Sequence, residues 1–286
     1  MKTGTIYIVS TPIGNMDDIT LRALKTLADV PVVAAEDTRQ AGILLAHHGI
    51  KTRLVSFHEH NEREKTPGLI GKVLAGESLA LVSDAGTPAI SDPGYRLVMA
   101  AAENGIRVVP VPGPSAAIAG LSASGLPTDA FVFVGFPSKK REKRHKQLEA
   151  LAEERKTLIF YESPNRAVRL LGEILKVMGD RRGALCREMT KPHEEFVRGP
   201  LSEIITTMKN RPSVKGECTL VIQGAAESEE VPIECLRTEI ETALADPNAR
   251  ISELSKKLAE QFGIAKKIVY NEALKISGRK KRGPKS

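Results

Sequence analysis

Leu79-Ala-Leu-Val-Ser-Asp-Ala-Gly-Thr-Pro-Ala-Ile-Ser-Asp-Pro-Gly94 carries an apolar strand into a carboxylate and then into a loop of small residues and prolines. Ala85, Gly86 and Thr87 put no bulk between a polar ligand and the main-chain N–H and C=O groups, while Pro88 and Pro93 fix φ and stiffen the loop. Such a loop suits a small zwitterionic ligand better than a protein partner. Taken alone, the stretch is also an ordinary strand-to-helix connection, with Asp92-Pro-Gly94 as a helix start.

On both sides of it, short β-branched runs alternate with helical periodicity. Ile6 to Ser10, Val32 to Ala35, Leu54 to Phe57, Leu79 to Ser83 and Val108 to Val111 read as strands. Ile19 to Leu27, Gln40 to His48, Leu69 to Leu74 and Tyr95 to Glu103 carry apolar residues at three and four spacing, so helices cover a largely parallel sheet. This predicts an α/β lobe over 1–125, ending at a hinge in Ser124-Gly-Leu-Pro127. A second α/β lobe follows over 126–226. Its strands are expected at Phe131 to Val134, Leu158 to Tyr161, Ala184 to Arg187, Glu195 to Arg198 and Thr219 to Ile222, with helices at 139–154, 164–178 and 200–209. Two such lobes leave a cleft between them, and 286 residues suit two cores of about 150 residues each.

Beyond an acidic linker, Glu227 to Pro232, the segment 231–286 reads as helical. A helix at Ile233 to Ala245 precedes one apolar face of Ile251, Leu254, Leu258 and Phe262, a turn at Gly263, and another face of Ile268, Val269, Ala273 and Leu274. Lys256, Lys257, Lys266, Lys267 and Lys275 fall on the polar faces. The pattern fits a nucleic-acid-binding helix-turn-helix and, equally, a plain helical pair capping the second lobe.

Charge is unevenly placed. Of the net +7, Arg250 to Ser286 holds 11 Lys/Arg against 3 Asp/Glu, or +8, closing on Arg279-Lys-Lys-Arg282. Lys139 to Lys146 holds 6 against 1, or +5, which leaves −6 for the rest. A mildly acidic body with two cationic appendages draws a polyanion to one place without coating itself in it. Nucleic acid fits better than membrane lipid, because Leu148, Leu151 and Ala152 give the first run only a modest apolar face. No run approaches the roughly 18 apolar residues of a membrane helix, and Met1-Lys-Thr-Gly4 enters a strand directly without signal-peptide architecture, so a cytoplasmic location is expected.

Several chemistries lose support. There is no G-x-x-x-x-G-K-[ST], no G-x-G-x-x-G after the first strand, no H-E-x-x-H and no C-x-x-C. Cys186, Cys218 and Cys235 read as reduced structural thiols, and His58-x-His60 reads as polar surface rather than a metal site. No metal is expected. What remains is a set of polar loops at strand ends, where open α/β sheets place their ligands.

Val9-Ser-Thr-Pro-Ile-Gly-Asn15, Glu36-Asp-Thr-Arg39, Ser83 to Gly94, Tyr161-Glu-Ser-Pro-Asn-Arg166 and Arg187-Glu-Met-Thr-Lys191 occur in order and at fitting spacings. Over about Gly4 to Gly224 the chain resembles the ribosomal RNA small subunit methyltransferase I family, a branch of the tetrapyrrole methylase superfamily whose members often carry a helix-turn-helix tail. The resemblance implies 2'-O-methylation of a cytidine ribose in the decoding region of 16S rRNA, with S-adenosylmethionine (SAM) bound between two lobes of tetrapyrrole methylase type. It further implies a homodimer acting on 16S rRNA or the small ribosomal subunit, away from membranes. It places SAM contacts at Pro12, Ile13, Asp84, Ala85, Gly86, Thr87, Pro88, Ser115, Ala116, Tyr161 and Glu162.

Methyl transfer to a hydroxyl is an in-line displacement, helped when a base removes the hydroxyl proton. Candidate bases are Glu36, Asp37, Glu162 and Glu188. Arg39, Arg187 and Lys191 are candidates for holding the ribose phosphate, and Lys139, Lys140 and Arg141 for binding RNA. These acids and arginines also make sense simply as pairs across the lobe interface. Two other functions fit the residues: a small-molecule, tetrapyrrole-type SAM methyltransferase, and a SAM-sensing DNA-binding regulator using the tail helices.

Overall fold

The computed structural model describes residues 3–211, 216–226, 233–246, 249–262 and 266–281. Contacts divide the chain into a unit ending at Ala225 and a second beginning at Ala226.

The first unit holds two five-stranded sheets. In the first, β1 (Thr5–Val9), β2 (Val32–Ala35), β3 (Arg53–Ser56), β4 (Leu79–Val82) and β5 (Arg107–Val111) are all parallel, in the order β3-β2-β4-β1-β5. Ile6 therefore sits between Leu79 and Val108. The helices between them are α1 (Leu21–Asp29), α2 (Thr38–His47), α3 (Glu62–Leu74) and α4 (Tyr95–Glu103), with α5 (Ala116–Ser124) after β5. Alternation along the strands sorts the helices by face. Val9, Val33, Ala35 and Val82 meet Ala23, Leu27, Leu44 and Leu45 of α1 and α2, whereas Ile6, Val32, Ala34 and Leu81 meet Leu69, Val73, Leu97 and Ala101 of α3 and α4. A sheet covered on both sides explains why these strands are continuous apolar runs.

The second sheet, β6-β7-β10-β8-β9, comprises β6 (Phe131–Gly135), β7 (Thr157–Glu162), β8 (Arg182–Arg187), β9 (Glu195–Pro200) and β10 (Cys218–Ile222). Only β6 and β7 are parallel; the other pairings are antiparallel. One face packs on α6 (Arg141–Ala150), α7 (Pro164–Met178) and α8 (Leu201–Lys209), through residues such as Leu148, Leu171, Ile174 and Ile204. Burying each such side chain contributes about 2 kcal/mol. The other face receives α5: Ala117 and Leu121 pack with Ile159, Ala184, Cys186 and Val221. Gly120 allows that approach, since a Cβ there would lie 3.1 Å from the Thr219 methyl. The hinge expected near Gly125 coincides with the end of α5, where Gly125 caps the helix at φ 77.

The main departure in element limits is α3, which starts at Glu62 instead of Leu69. Its first turns are polar, and Pro67 within it reads as a break. Predicted 139–154 shortens to α6, which ends in turns after Ala150.

The second unit contains α9 (Ile233–Ala243), α10 (Ile251–Phe262) and α11 (Lys266–Lys281), around a core of Leu236, Ile240, Leu258, Val269, Ala273 and Ile276. Ile251, Leu254, Leu258 and Phe262 pack as a face, as expected. The face of α11 is corrected: Ile268 and Leu274 are exposed at 57% and 46%, because a 3.6-residue period joins 269, 273 and 276. Lys256, Lys257, Lys266 and Lys275 are exposed. The acidic linker from Glu227, the turn at Gly263 and the side chains of Lys267 and of Arg279 to Arg282 lie outside the described residues. Among those described, no helix is long and apolar enough to cross a membrane.

Candidate active site

Because β1 to β5 run parallel, the segments that follow β1, β2, β4 and β5 all leave one edge of the sheet, the edge where ligands of open α/β sheets sit. They are tied to one another there. The Thr87 hydroxyl donates to the Pro114 carbonyl at 3.2 Å and takes a hydrogen bond from Ser10 at 3.0 Å. Thr11 and Gly86 form an isolated antiparallel bridge. Through that bridge the Gly86 N–H donates to the Thr11 carbonyl and the Gly86 carbonyl accepts from the Thr11 N–H. Further along, Ala89 and Ser91 hold left-handed backbones, φ 68 and 66, an arrangement that costs about 1–3 kcal/mol each and clusters at functional sites. Asp92 does not start α4, as its Asp-Pro-Gly context suggests. Gly94 is the N-cap, at φ 135, and its N–H donates to Glu62 Oε2 at 3.1 Å. A Cβ on Gly94 would strike Leu81 at 2.6 Å.

This loop walls a cavity of about 380 Å³ shared with the second sheet. Acids dominate its polar lining: Glu36, Asp84, Asp92, Glu162 and Glu217. Asp84 Oδ1 accepts from the Asp37 N–H at 2.9 Å. The Asp84 N–H reaches Glu36 Oε2 at 3.5 Å. Burial, then the neighbouring Asp84 charge, raises Glu36 above the usual carboxylate range. Burial, then repulsion from Glu36, pushes Asp92 up to about 7, against a hydrogen bond from Ser83. Glu162 is differently placed: Oε1 accepts from Ser163 N–H at 2.8 Å and from Arg166 at 2.6 Å.

Apolar walls complete the cavity. Ile13 and Ile90 come from the first-sheet loops, Phe136 and Tyr161 from the second sheet. The Tyr161 ring stands edge-on to Phe136, 5.5 Å between centroids, and its phenol oxygen accepts from the Ala117 N–H at 2.9 Å. Burial raises that phenol above its ordinary value. Ser115, the N-cap of α5, makes no side-chain capping bond and lines the cavity with Ala116.

Thus Ile13, Asp84, Ala85, Gly86, Thr87, Ser115, Ala116, Tyr161 and Glu162 come together, joined by Glu36. Pro12 borders an adjoining hollow of about 180 Å³ that also reaches Ile13, Asp84 and Lys191. Pro88 lies in the same loop, outside the lining. Asp37 caps α2 and forks with Arg39, whose hydrogen bonds hold its carboxyl at about 2; Arg39 itself is 87% exposed. Glu188, left-handed at φ 50, accepts from Lys191 Nζ and from the Glu217 N–H, both at 3.0 Å. Lys191 lowers its pKa. Arg187 pairs with Glu195 at 3.0 Å. A hydrogen bond joins this cluster to the loop after β1: Asn15 N–H donates to the Thr190 hydroxyl at 2.9 Å.

Lys139, Lys140 and Arg141 are exposed at the start of α6, three residues beyond Phe136. Arg144, in the same basic run, is 5% exposed and binds Glu173 in a fork, so it belongs to the fold. Sequence reasoning missed Asp92, Phe136, Glu217 and Thr219 as cavity residues. Asp92 carried a signal, because it stands inside the small-residue loop. Cys186 and Cys218 are buried with thiol pKa values pushed by burial up to about 12 and about 11, unreactive at neutral pH.

Residues 5–205 match the family of tetrapyrrole (corrin/porphyrin) methylases. Among solved structures, a uroporphyrin-III C-methyltransferase from Thermus thermophilus superposes with a TM-score of 0.55 at 24% identity, covering 77% of this chain and 94% of that one. A cobalt precorrin-4 methyltransferase gives 0.58 at 19%, with the same coverage. These likenesses establish the fold. Full-length relatives are much more similar. Ribosomal RNA small subunit methyltransferase I from Escherichia coli O157:H7 is 45% identical over 278 residues, 96% of each chain. The enzyme of that name from Pseudomonas aeruginosa is 45% identical over 287 residues, 98% of this chain and all of the relative. With the parallel sheet, the strand-edge cavity and identity along nearly its whole length, the chain belongs to the ribosomal RNA small subunit methyltransferase I family of the tetrapyrrole methylases.

Proposed function

We propose that this methyltransferase moves a methyl group from SAM to the 2'-oxygen of a cytidine ribose in the decoding region of 16S rRNA, within the small ribosomal subunit. The observation that carries the proposal is the cavity, with an acidic lining at the edge of a parallel sheet and an exposed basic run beginning three residues past its Phe136 wall.

The residues present fit the donor. A volume of about 380 Å³ falls within the ~300–1,000 Å³ of small-molecule sites. Glu36 and Asp84 give negative potential suited to a sulfonium and an ammonium group. Ile13, Ile90 and Phe136 offer apolar surface to a nucleobase, and the start of α5, where Ser115 makes no side-chain capping bond and the Tyr161 phenol holds the Ala117 N–H, suits a carboxylate. SAM supplies an electrophilic methyl carried on sulfur. The protein's part is to align the acceptor oxygen, keep water out with Ile90 and Phe136, and receive a proton. A positioned base is worth roughly 10²–10⁴-fold in rate. Glu36 and Glu162 are the cavity-facing members of the base set; Asp37 and Glu188 stand outside it. Arg39, Arg187 and Lys191 would steer the ribose phosphate, and Lys139, Lys140 and Arg141 the RNA strand. A homodimer and a cytoplasmic site of action belong to the same proposal.

Labelled methyl transfer tests it, with purified enzyme offered small ribosomal subunits in one reaction and porphyrinoids in another. Label entering RNA alone supports the reading; label entering porphyrinoid alone overturns it.

A further inference from the structure

We propose that Asp92 is the catalytic base, its carboxylate receiving the proton of the attacking ribose hydroxyl. This rests on the reading of the cavity as a ribose methylation site. Asp92 lines that cavity. The loop brings it there through left-handed residues at Ala89 and Ser91, and the fold makes no use of it as a helix cap, because Gly94 starts α4 and takes Glu62 as partner.

Three of the other acids are committed to cations. Asp37 is held by Arg39, Glu188 by Lys191, and Glu162 by Arg166. Glu36 faces the cavity, and its Oε2 accepts from the Asp84 N–H. The charges acting most on Asp92 are both negative: Glu36 after β2 and Asp84 after β4. From the other elements, the Ser83 hydroxyl bonds to it, and the Tyr161 phenol of β7 feels its charge. Glu62, which accepts from the Gly94 N–H two residues along, is paired with Arg96 at 3.2 Å. His58 acts on Glu36. With burial added, these groups poise Asp92 at about 7, where a base is about half ionised at neutral pH and holds a proton well.

The step balances. The ribose O–H bond breaks and its proton forms a bond to an Asp92 carboxylate oxygen. The electron pair left on the ribose oxygen becomes the new O–CH₃ bond, and the pair of the broken C–S bond stays on sulfur, cancelling its positive charge.

The test uses the full-length enzyme in three measurements. Carboxyl carbon NMR of the enzyme without donor should show one aspartate titrating near 7, absent from Asp92→Asn. Single-turnover methyl transfer to small subunits at pH 8 should fall at least about 100-fold in Asp92→Asn, while S-adenosylhomocysteine affinity by calorimetry stays within about threefold. The wild-type rate should fall tenfold per pH unit below the NMR midpoint. A wild type with no carboxyl titrating between pH 6 and 8 overturns the proposal even if the variant misfolds, as does a variant within about threefold of the wild-type rate. Wild-type enzyme that leaves ribose unmethylated overturns the underlying functional reading instead, a result visible before any variant is made.

Discussion

Thr11 and Gly86 exchange both of their main-chain hydrogen bonds, Thr11 N–H to Gly86 C=O at 2.8 Å and Gly86 N–H to Thr11 C=O at 3.1 Å. The bridge joins the loops that leave two neighbouring strands and fixes the floor of the cavity. Gly86 holds φ 83 there, with room for a methyl group: the nearest atom to a Cβ is 3.6 Å away. Gly86→Ala therefore meets backbone strain without a clash. Denaturant melts should show a loss of about 1–2 kcal/mol, with weaker S-adenosylhomocysteine binding.

Asp92 also predicts a pH dependence of stability. Its folded pKa, about 7, lies above the ordinary aspartate value, so the folded state binds the proton more tightly than the unfolded chain. This contribution is fully present below about pH 4 and is lost as pH rises through 7. Asp92→Asn removes it. Melts should show the variant more stable than wild type at pH 8, the difference shrinking steadily toward pH 4.

Glu36 tunes that group. Its negative charge is the second cause, after burial, of the raised Asp92 pKa. Glu36→Gln should move the acid limb of the methyl-transfer profile to lower pH, so that the ratio of the rate at pH 6 to the rate at pH 8 increases. An acid limb at the wild-type position would show that the two carboxylates do not communicate.

Arginines and lysines of one basic run should separate into two classes. Arg144→Ala leaves the half-buried Glu173 without its fork and should cost about 2–3 kcal/mol with little change in RNA affinity. Changing Lys139, Lys140 and Arg141 together to Ala should leave stability nearly unchanged. The slope of log affinity against log salt should instead flatten by about 0.7–0.9 for each phosphate contact removed. The same measurement on Lys256→Gln, Lys257→Gln and Lys266→Gln asks whether the helical tail touches RNA.

Much of the fold was legible because burial imposes simple patterns. Val32 to Ala35 is apolar at every position, lies between two strands and is covered on both faces, and the strand has those limits in the structure. Pro164 and Gly179 mark both ends of α7 with the residues that helix termini favour. The first turns of α3 were hidden, since Glu62 to Lys65 is polar and Pro67 interrupts the pattern. In α11, Val269, Ala273 and Ile276 reach the core while adjacent Ile268 stays outside, a distinction set by packing partners more than by hydropathy.

The site was legible as loops and much less so as chemistry. Small residues around Gly86 marked, from sequence alone, a loop that lines the cavity. Which acid is paired and which is poised depends on neighbours distant in the chain, such as Glu36 beside Asp84 or Arg166 beside Glu162. Asp92 reads locally as a helix start, and only folding turns it toward Glu36 and the cavity. Phe136 and Thr219 enter the wall because the second sheet stands against the first-sheet loops, a juxtaposition without a local signature.

The most direct measurement is nucleoside mass spectrometry on small ribosomal subunits lacking this modification, incubated with the enzyme and methyl-labelled SAM. Labelled 2'-O-methylcytidine from the decoding region is expected. Label confined to nucleobases, or RNA without label beside an active preparation, would contradict a cavity built to methylate a ribose oxygen.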